Sequence, residues 1–144
     1  MSGFLLDTNV ISEFARPDRT PEPRVRQWLE TVDPSSLYAS VHTSGEIRKG
    51  IEQLAAGKRR TQLEDWLDND FRDWFENRLL IVDEAIANRW GFLAAEAKRK
   101  GTPVAIIDGL LSATALVHKL TVVTRNSRDF ANAGAPVFNP WDAA

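Results

Sequence analysis

The stretch Phe4-Leu5-Leu6-Asp7-Thr8-Asn9-Val10-Ile11, near the start of the chain, sets the architecture. Its three leading apolar residues are typical of a short buried strand, and the polar residues after them can cap a helix that runs to about Phe14. In an open α/β sheet, such a strand-to-helix junction lies at the carboxyl edge of the strands, where ligands bind. We therefore expect Asp7 to lie at a functional edge.

Two other acidic residues follow apolar runs in the same way. Glu46 comes five residues after Leu37-Tyr38-Ala39-Ser40-Val41, and Asp108 directly follows Val104-Ala105-Ile106-Ile107, a strand or loop that gives way to a helix. If all three segments lie side by side in a parallel sheet, the three acids converge within a few ångströms. Close carboxylates repel unless a cation neutralises them. Oxygen ligands without thiolates suit Mg²⁺ or Mn²⁺, and phosphodiester or phosphoryl transfer is the chemistry that needs such a site.

Each acid also has a purely structural interpretation. Asp7 and Asp108 fit the N-cap position of a helix, where a carboxylate accepts a free backbone N–H. Thr43-Ser44-Gly45-Glu46 fits the S/T-x-x-E capping box, in which Glu46 reaches back to the N–H of Thr43. Since a helix start attracts negative charge through its dipole, one such carboxylate indicates little by itself.

The rest of the chain alternates strands with helical stretches. We expect further strands at 37–41, 79–82, 121–124 and 137–138, a helix ended by Pro34, a helical hairpin over 43–76 with Gly57 at its first stop, and a helix from Asp83 to about Lys100. This order predicts an α/β fold, a three-layer α/β/α sandwich with a mainly parallel sheet of about five strands. Residues 1–144 fit a single domain.

The composition excludes several classes of function. The absence of cysteine from all 144 residues rules out disulfides, thiol catalysis and thiolate metal sites. A net charge of −2 argues against a protein that coats nucleic acid, although a bound cation can still bridge carboxylates to phosphates. Apolar runs stay well short of the ~20 residues of a membrane span, and the N-terminus lacks a basic signal-peptide start. We therefore expect a cytoplasmic protein without a membrane partner.

Four motifs, in this order, closely resemble the PIN-domain family, and the likeness is strongest to VapC-type and FitB-type toxins of bacterial toxin–antitoxin modules. The motifs are Leu5 to Glu13, Ser44 to Gly50, Ile107 to Ala115 and Thr124 to Phe130. The resemblance covers almost the whole chain. It implies a Mg²⁺- or Mn²⁺-dependent endoribonuclease that a VapB-like antitoxin holds inactive. It also implies a homodimer that joins a larger complex with the antitoxin.

The resemblance also implies roles for individual residues. Asp7 and Asp108 would hold the metal most directly, and Glu46 would join them or orient a water. The residues that would fix these carboxylates by hydrogen bonds are Thr8, Asn9, Thr124 and Asn126. Separately from the resemblance, the position of Arg48 and Lys49 within a helical turn of Glu46 makes them candidates for a contact with RNA or the antitoxin.

One position departs from the family pattern. Many relatives carry a fourth acid directly after the Thr-Arg pair, where this chain has Asn126. Asp129, three residues later, is the catalytic candidate that can compensate, and its structural alternative is a cap or turn residue beside Phe130. The difference puts a stable second metal in doubt, and it leaves the activity itself in place.

The leading hypothesis is thus a toxin that cuts RNA by metal-activated water attack. The second is a catalytically weak PIN domain that acts mainly as a partner-binding module, which the amide at Asn126 favours. The third is an RNA-processing nuclease outside any toxin–antitoxin module.

Overall fold

A computed structural model describes residues 3–14, 16–18 and 20–142. The strands are β1 (Phe4–Leu6), β2 (Leu37–Ser40), β3 (Leu79–Leu80), β4 (Thr121–Val123) and β5 (Val137–Phe138). The α-helices are α1 (Thr8–Phe14), α2 (Pro23–Thr31), α3 (Val41–Glu52), α4 (Lys58–Asp65), α5 (Arg72–Trp74), α6 (Glu84–Arg99), α7 (Ile106–His118) and α8 (Ser127–Phe130). A π-helical segment, Trp66–Phe71, joins α4 to α5, and short 3-10 turns lie at Pro34–Ser36 and Pro140–Asp142.

All neighbouring strand pairs are parallel, and the strand order is β3-β2-β1-β4-β5. The chain builds outward from β1 to β3 on one side and then crosses back to β4 on the other. The order therefore reverses between β1 and β4, and the crevice outside the carboxyl ends of strands at such a point is the usual ligand site of an open α/β sheet. Asp7 follows β1 and Thr124 follows β4, so both residues lie at this crevice.

Helices cover both faces of the sheet. Alternate side chains of a strand point to opposite faces, and in β1 Leu6 packs in one hydrophobic cluster while Leu5 packs in the other. The first cluster joins the sheet to α1, α2, α3 and the continuous helical segment from α4 to α5. The second joins it to α7 and α8. The predicted three-layer α/β/α sandwich with a parallel sheet is confirmed.

The predicted elements differ from the observed ones mainly at their ends. The 79–82 strand is confined to Leu79–Leu80, and α3 begins at Val41, which the sequence placed in a strand. Gly57 precedes α4 at the N-cap position and does not end α3. The apolar run 104–107 forms no strand; α7 begins at Ile106, and Asp108 therefore follows a loop, one of the two alternatives that the sequence left open. None of the helices within the described ranges is long and apolar enough to cross a membrane.

Candidate functional site

Asp7 is fixed at the crevice between β1 and β4. Its backbone N–H donates to the carbonyl of Val123 at 2.9 Å, and its carbonyl accepts from the first turn of α1. Its carboxylate accepts from the Thr8 N–H at 2.8 Å through Oδ1 and from the Thr124 hydroxyl at 2.8 Å through Oδ2. Two different elements therefore hold the carboxylate in one orientation.

Asn9, Arg125 and Asn126 add further hydrogen bonds around Thr124 and Asp7. The side-chain amide of Asn9 lies 3.4 Å from both Asp7 Oδ2 and the Thr124 hydroxyl, and its oxygen accepts from the backbone N–H of Arg125 at 3.1 Å. The N–H of Asn126 donates to the Thr124 hydroxyl at 3.0 Å. The structure thus brings Asn9, Thr124 and Asn126 of the predicted set into one network behind Asp7.

Glu46 reaches the same edge from α3. Its Oε1 accepts a hydrogen bond from the Thr8 hydroxyl at 2.9 Å, so α1 orients it. The predicted capping box is wrong, because Ser40 caps α3 through the His42 N–H and Thr43 is buried inside the helix. Glu46 therefore has no capping role at Thr43 and keeps its carboxylate at the exposed end of the crevice.

Asp108 lies in the first turn of α7, and the residues directly before this helix form no strand. The N-cap position belongs to Ala105, so the interpretation of Asp108 as an N-cap is wrong as well. Burial raises the pKa of Asp108 to about 6, and the negative charges of Asp7, Asp129 and Glu46 add to that rise. Burial likewise raises the pKa of Asp7, although its hydrogen bonds from Thr124 and Thr8 oppose the rise.

The fourth acid, Asp129, lies in α8 and is exposed. The N-cap position of α8 belongs to Asn126, so Asp129 does not cap the helix. Its negative charge contributes to the raised pKa of Asp108. The arrangement brings Asp129 into the acidic group, and its catalytic role stays a prediction.

The four carboxylates are coupled by charge, yet they do not form a closed cage. Within the described residues, no three His, Asp or Glu side chains lie close enough together to enclose a metal ion, and the joint binding of one cation by Asp7, Glu46 and Asp108 stays a prediction. Mg²⁺ needs only one or two protein carboxylates and keeps several waters. The oxygen donors present fit such an ion, as do the pKa values of Asp7 and Asp108, which burial raises most and neighbouring negative charges raise further.

The charge of Asp7 also acts on His42. Its Nδ1 lies 2.9 Å from the Ser40 hydroxyl, while Nε2 is buried without a hydrogen-bond partner. Burial lowers the pKa of His42, against the pull of the Asp7 charge. The side chain is thus a neutral imidazole near physiological pH, which suits a structural role better than a charged one.

The chain matches the PIN domain model over residues 4–136. It belongs to the PIN-domain family. The toxin FitB of Neisseria gonorrhoeae is 40% identical to this PIN domain over 138 residues, which cover 96% of the chain and 98% of FitB. The VapC ribonuclease Y4jK of Sinorhizobium fredii is 37% identical over 143 residues, with 98% and 99% covered.

Solved structures agree with this assignment. The crystal structure of FitAcB from Neisseria gonorrhoeae superposes with a TM-score of 0.89 at 40% identity and covers 96% of this chain and 99% of that one. The DNA-bound VapBC from Salmonella typhimurium superposes with a TM-score of 0.72 at 28% identity, with 97% and 99% covered. The PIN-like fold is therefore shown by sequence and by structure.

The structure also places the basic residues. Arg48 is already paired with Asp68, and Glu52 lies 3.7 Å from it, whereas Lys49 is exposed. A residue that the sequence did not single out, Arg125, is better situated, because it directly follows Thr124 at the crevice. In the described part of the chain Arg125 has no ion pair, and its guanidinium lies 5.5 Å from the ring centroid of Trp141.

The backbone of Arg125 is held on both sides. Its N–H donates to Asn9, as noted, and its carbonyl accepts from the Asn139 side chain at 3.2 Å. Asn139 also accepts from the N–H of Trp141 at 2.9 Å. The only signal in the sequence was its place in the Thr-Arg pair, since the contacts with Asn9 and Asn139 depend on the fold.

Proposed function

We propose that this PIN domain is a divalent-cation-dependent endoribonuclease that acts as the toxin of a toxin–antitoxin pair. One observation carries the proposal: Asp7 is held by Thr8 and Thr124 at the crevice of the sheet, where the charges of three other acids act together. A carboxylate group of this kind at a ligand crevice suits a cation and a phosphate. The names of the relatives FitB and Y4jK support the toxin and ribonuclease parts.

Asp7 and Asp108 are the proposed cation ligands, and Glu46 completes the set or orients a water. Mg²⁺ is the proposed ion and Mn²⁺ the alternative, because both favour oxygen donors. When bound, the cation supplies activation of the attacking water and compensates charge on the phosphodiester. Asp129 is the proposed additional acid, which supplies the charge that Asn126 lacks.

The remaining residues position these groups. Thr8 holds Glu46, while Thr124 and Asn9 hold Asp7. Arg125 is the proposed phosphate contact, because a guanidinium pairs with phosphate oxygens through two parallel hydrogen bonds. Lys49 is a second proposed contact with RNA or the antitoxin. Arg48 can make such a contact only after its ion pair with Asp68 breaks.

The decisive experiment is an RNA cleavage assay on the purified chain, free of antitoxin. We expect cleavage with Mg²⁺ or Mn²⁺, none with EDTA, and a loss of several orders of magnitude in Asp7→Asn and Asp108→Asn. Asp73→Asn, at an exposed carboxylate of the helical hairpin, is the matched control and retains activity. Cleavage that survives EDTA and both site substitutions would sink the proposed function.

A second candidate is a catalytically weak PIN domain that acts mainly as a binding module. The open arrangement of the carboxylates among the described residues and the amide of Asn126 favour it. A thermal melt with and without Mn²⁺ separates the two. A ligand present at 100 times its Kd stabilises the fold by about 2.7 kcal/mol, whereas a site that binds no cation gives no shift.

The antitoxin is the proposed partner, and the cytoplasm is the proposed location. Co-expression with the product of the adjacent small reading frame tests the partner, because a true antitoxin co-purifies with the chain and suppresses its cleavage. The third candidate, an RNA-processing nuclease outside a toxin–antitoxin module, predicts no such partner.

A further inference from the structure

The C-terminal end of the described chain lies beside the acidic crevice. Strand β5 pairs with β4, and the chain then forms the 3-10 turn Pro140–Asp142. The N–H of Thr124 donates to the carbonyl of Phe138 at 3.0 Å, so the two chain segments stay together beyond the ends of their strands. Arg125, the proposed phosphate contact, directly follows Thr124. The turn and this arginine therefore lie at the same end of the β4–β5 pair.

Asn139 uses both ends of its side-chain amide to join the two segments. Its oxygen accepts from the backbone N–H of Trp141 at 2.9 Å, which is the pattern by which an asparagine stabilises a turn two residues further on. Its nitrogen donates to the carbonyl of Arg125 at 3.2 Å. Pro140 favours an extended backbone at Asn139. One amide thus ties the backbone of Arg125 to the backbone of Trp141.

The indole of Trp141 is a rigid neighbour for the side chain of Arg125. Trp141 is only 7% exposed and belongs to the hydrophobic cluster between the sheet and α2, against which its turn packs. The guanidinium carbon of Arg125 lies 5.5 Å from the ring centroid. A cation within about 6 Å of an indole centroid is attracted by the ring. A buried ring therefore restrains a side chain that is itself exposed.

The kind of restraint matters for an arginine that has to bind phosphate. An exposed arginine has many rotamers, and the loss of this freedom opposes binding. A carboxylate that restrains the side chain also neutralises it, as Asp68 does with Arg48. A tryptophan restrains the guanidinium through its ring and leaves both the positive charge and the N–H donors available. Arg125 is thus ordered before RNA arrives and stays uncompensated.

We propose that Trp141 is a positioning residue for Arg125: its ring holds the guanidinium ready for an RNA phosphate at the acidic crevice, and Asn139 fixes the backbone on which that side chain stands. The inference rests on the proposed function, which brings RNA to the crevice, and it assigns the C-terminal turn to recognition of the RNA backbone. Since a phosphate contact carries no base information, the turn contributes to affinity for RNA of any sequence.

A double-mutant cycle tests the proposal on the full chain. The Kd for labelled single-stranded RNA is measured by fluorescence anisotropy in Ca²⁺, under conditions that leave the RNA intact. Trp141→Leu removes the ring and keeps an apolar residue, so we expect the Kd to rise about three- to fivefold, the size of one cation–π contact. Trp141→Phe keeps an aromatic face and retains most of the affinity. In an Arg125→Ala background, Trp141→Leu has no further effect, because the residue that it positions is gone.

Trp28→Leu is the matched control. Trp28 belongs to the same hydrophobic cluster, and its ring packs against Phe4 and Phe138. We expect this variant to lower the melting temperature as Trp141→Leu does and to leave the Kd for RNA unchanged. Melts with and without Mn²⁺ show that each variant is folded, and the shift produced by Mn²⁺ stays as in wild type because the acids are untouched.

Several results would overturn the inference. They are an unchanged Kd in Trp141→Leu, a loss of affinity that Trp28→Leu shares, and a loss that persists in full without Arg125. An Arg125→Ala variant that binds RNA as tightly as wild type also overturns it, since there is then no contact to position. Failure of the proposed function gives a different result: a wild type that binds RNA but cleaves none with Mg²⁺ or Mn²⁺ leaves every arm of the cycle measurable.

Discussion

Thr124 is completely buried, and its hydroxyl donates to Asp7. Thr124→Val keeps the shape and removes the donor, so we expect a loss of about 1–3 kcal/mol in the free energy of unfolding. Residues that orient ligands behind a metal typically change its affinity 10–100-fold on substitution, and we expect a similar loss of Mn²⁺ affinity here. Chemical denaturation and a Mn²⁺ titration measure the two effects. Thr121→Val, in the strand β4 that Thr124 follows, is the control, and equal effects of both variants would refute the special role of Thr124.

The raised pKa of Asp108 predicts how stability depends on pH. Because its pKa is about 6 in the folded chain and 3.8 is the ordinary value, the folded state binds more protons between these two values. The contribution of Asp108 to stability without metal therefore rises as the pH falls from about 7 to about 4, whereas His42, whose pKa is lowered in the folded chain, contributes in the opposite direction below about pH 6.5. Asp7, whose pKa is also raised, acts in the same direction.

Melting temperatures of the metal-free chain across that interval provide the measurement. Asp108→Asn removes one titrating group, so we expect this variant to lose the part of the rise that Asp108 contributes. Below about pH 4, Asp18 and Asp33 reverse the trend, because hydrogen bonds and ion pairs lower their pKa values in the folded state. Comparison with Asp108→Asn separates the carboxyl group from His42, and a wild type that gains no stability relative to this variant as the pH falls from about 7 to about 4 contradicts the assignment.

Substitution of Arg125 is expected to weaken RNA binding without changing the binding of Mn²⁺. Arg125→Ala removes a charge-assisted contact with phosphate, so the Kd for single-stranded RNA rises about tenfold or more. The stabilisation by Mn²⁺ stays unchanged, because the acids are untouched. Fluorescence anisotropy measures the Kd, and Arg128→Ala, at another exposed arginine nearby, is the control. A loss of the Mn²⁺ shift in Arg125→Ala would show that the residue acts on the carboxylates.

The close packing of α7 on α6 places Asp108. A Cβ on Gly109 would lie 2.9 Å from Cδ1 of Trp90, so α7 approaches α6 too closely for any larger residue. We expect Gly109→Ala to destabilise the fold by about 1–3 kcal/mol and to weaken the Mn²⁺ shift, because the neighbouring Asp108 moves with the helix. Gly50→Ala, where a Cβ meets nothing, is the control and stabilises by up to about 1 kcal/mol. Thermal denaturation of both variants decides the point.

Helix starts were the elements that the sequence predicted least well. The apolar run Val104 to Ile107 has no period that separates a buried strand from a helix start, so the sequence left a strand and a loop open there, and α7 begins within the run at Ile106. The capping box at Thr43 satisfied a local rule, yet Ser40 took the cap because β2 ends there. Strands β1, β4 and β5, by contrast, were predicted at nearly their observed bounds, since turn residues bracket them.

The acidic residues of the site could be predicted from the sequence, whereas the residues that hold them by hydrogen bonds could be predicted only in part. Asp7 and Asp108 stand out in the sequence because each lies beside an apolar run. The pairing of Thr8 with Glu46 joins residues far apart in the chain, and it depends on how α1 packs beside α3. The same holds for Arg125, whose position depends on hydrogen bonds with Asn9 and Asn139. Only the folded chain therefore shows which basic side chain lies beside the acids.

The distribution of charge over the whole molecule sets how it meets RNA. With a net charge of −2, and with four acids acting together at the crevice, the long-range field does not attract a polyanion. Binding then depends on a local cation and on a few basic residues. Each phosphate contact contributes about −0.7 to the slope of log K against log salt for single strands, so few contacts give a shallow slope.

We therefore expect RNA binding to require a divalent cation and to depend only weakly on monovalent salt. Anisotropy with labelled single-stranded RNA in EDTA, and then in Ca²⁺ under conditions where gels show intact RNA, measures both quantities. Asp7→Asn loses the Ca²⁺ effect because it removes a proposed ligand, whereas Asp73→Asn keeps it. Tight binding in EDTA with a steep salt slope would mean that a basic surface captures RNA, and the acidic crevice would then have no part in binding.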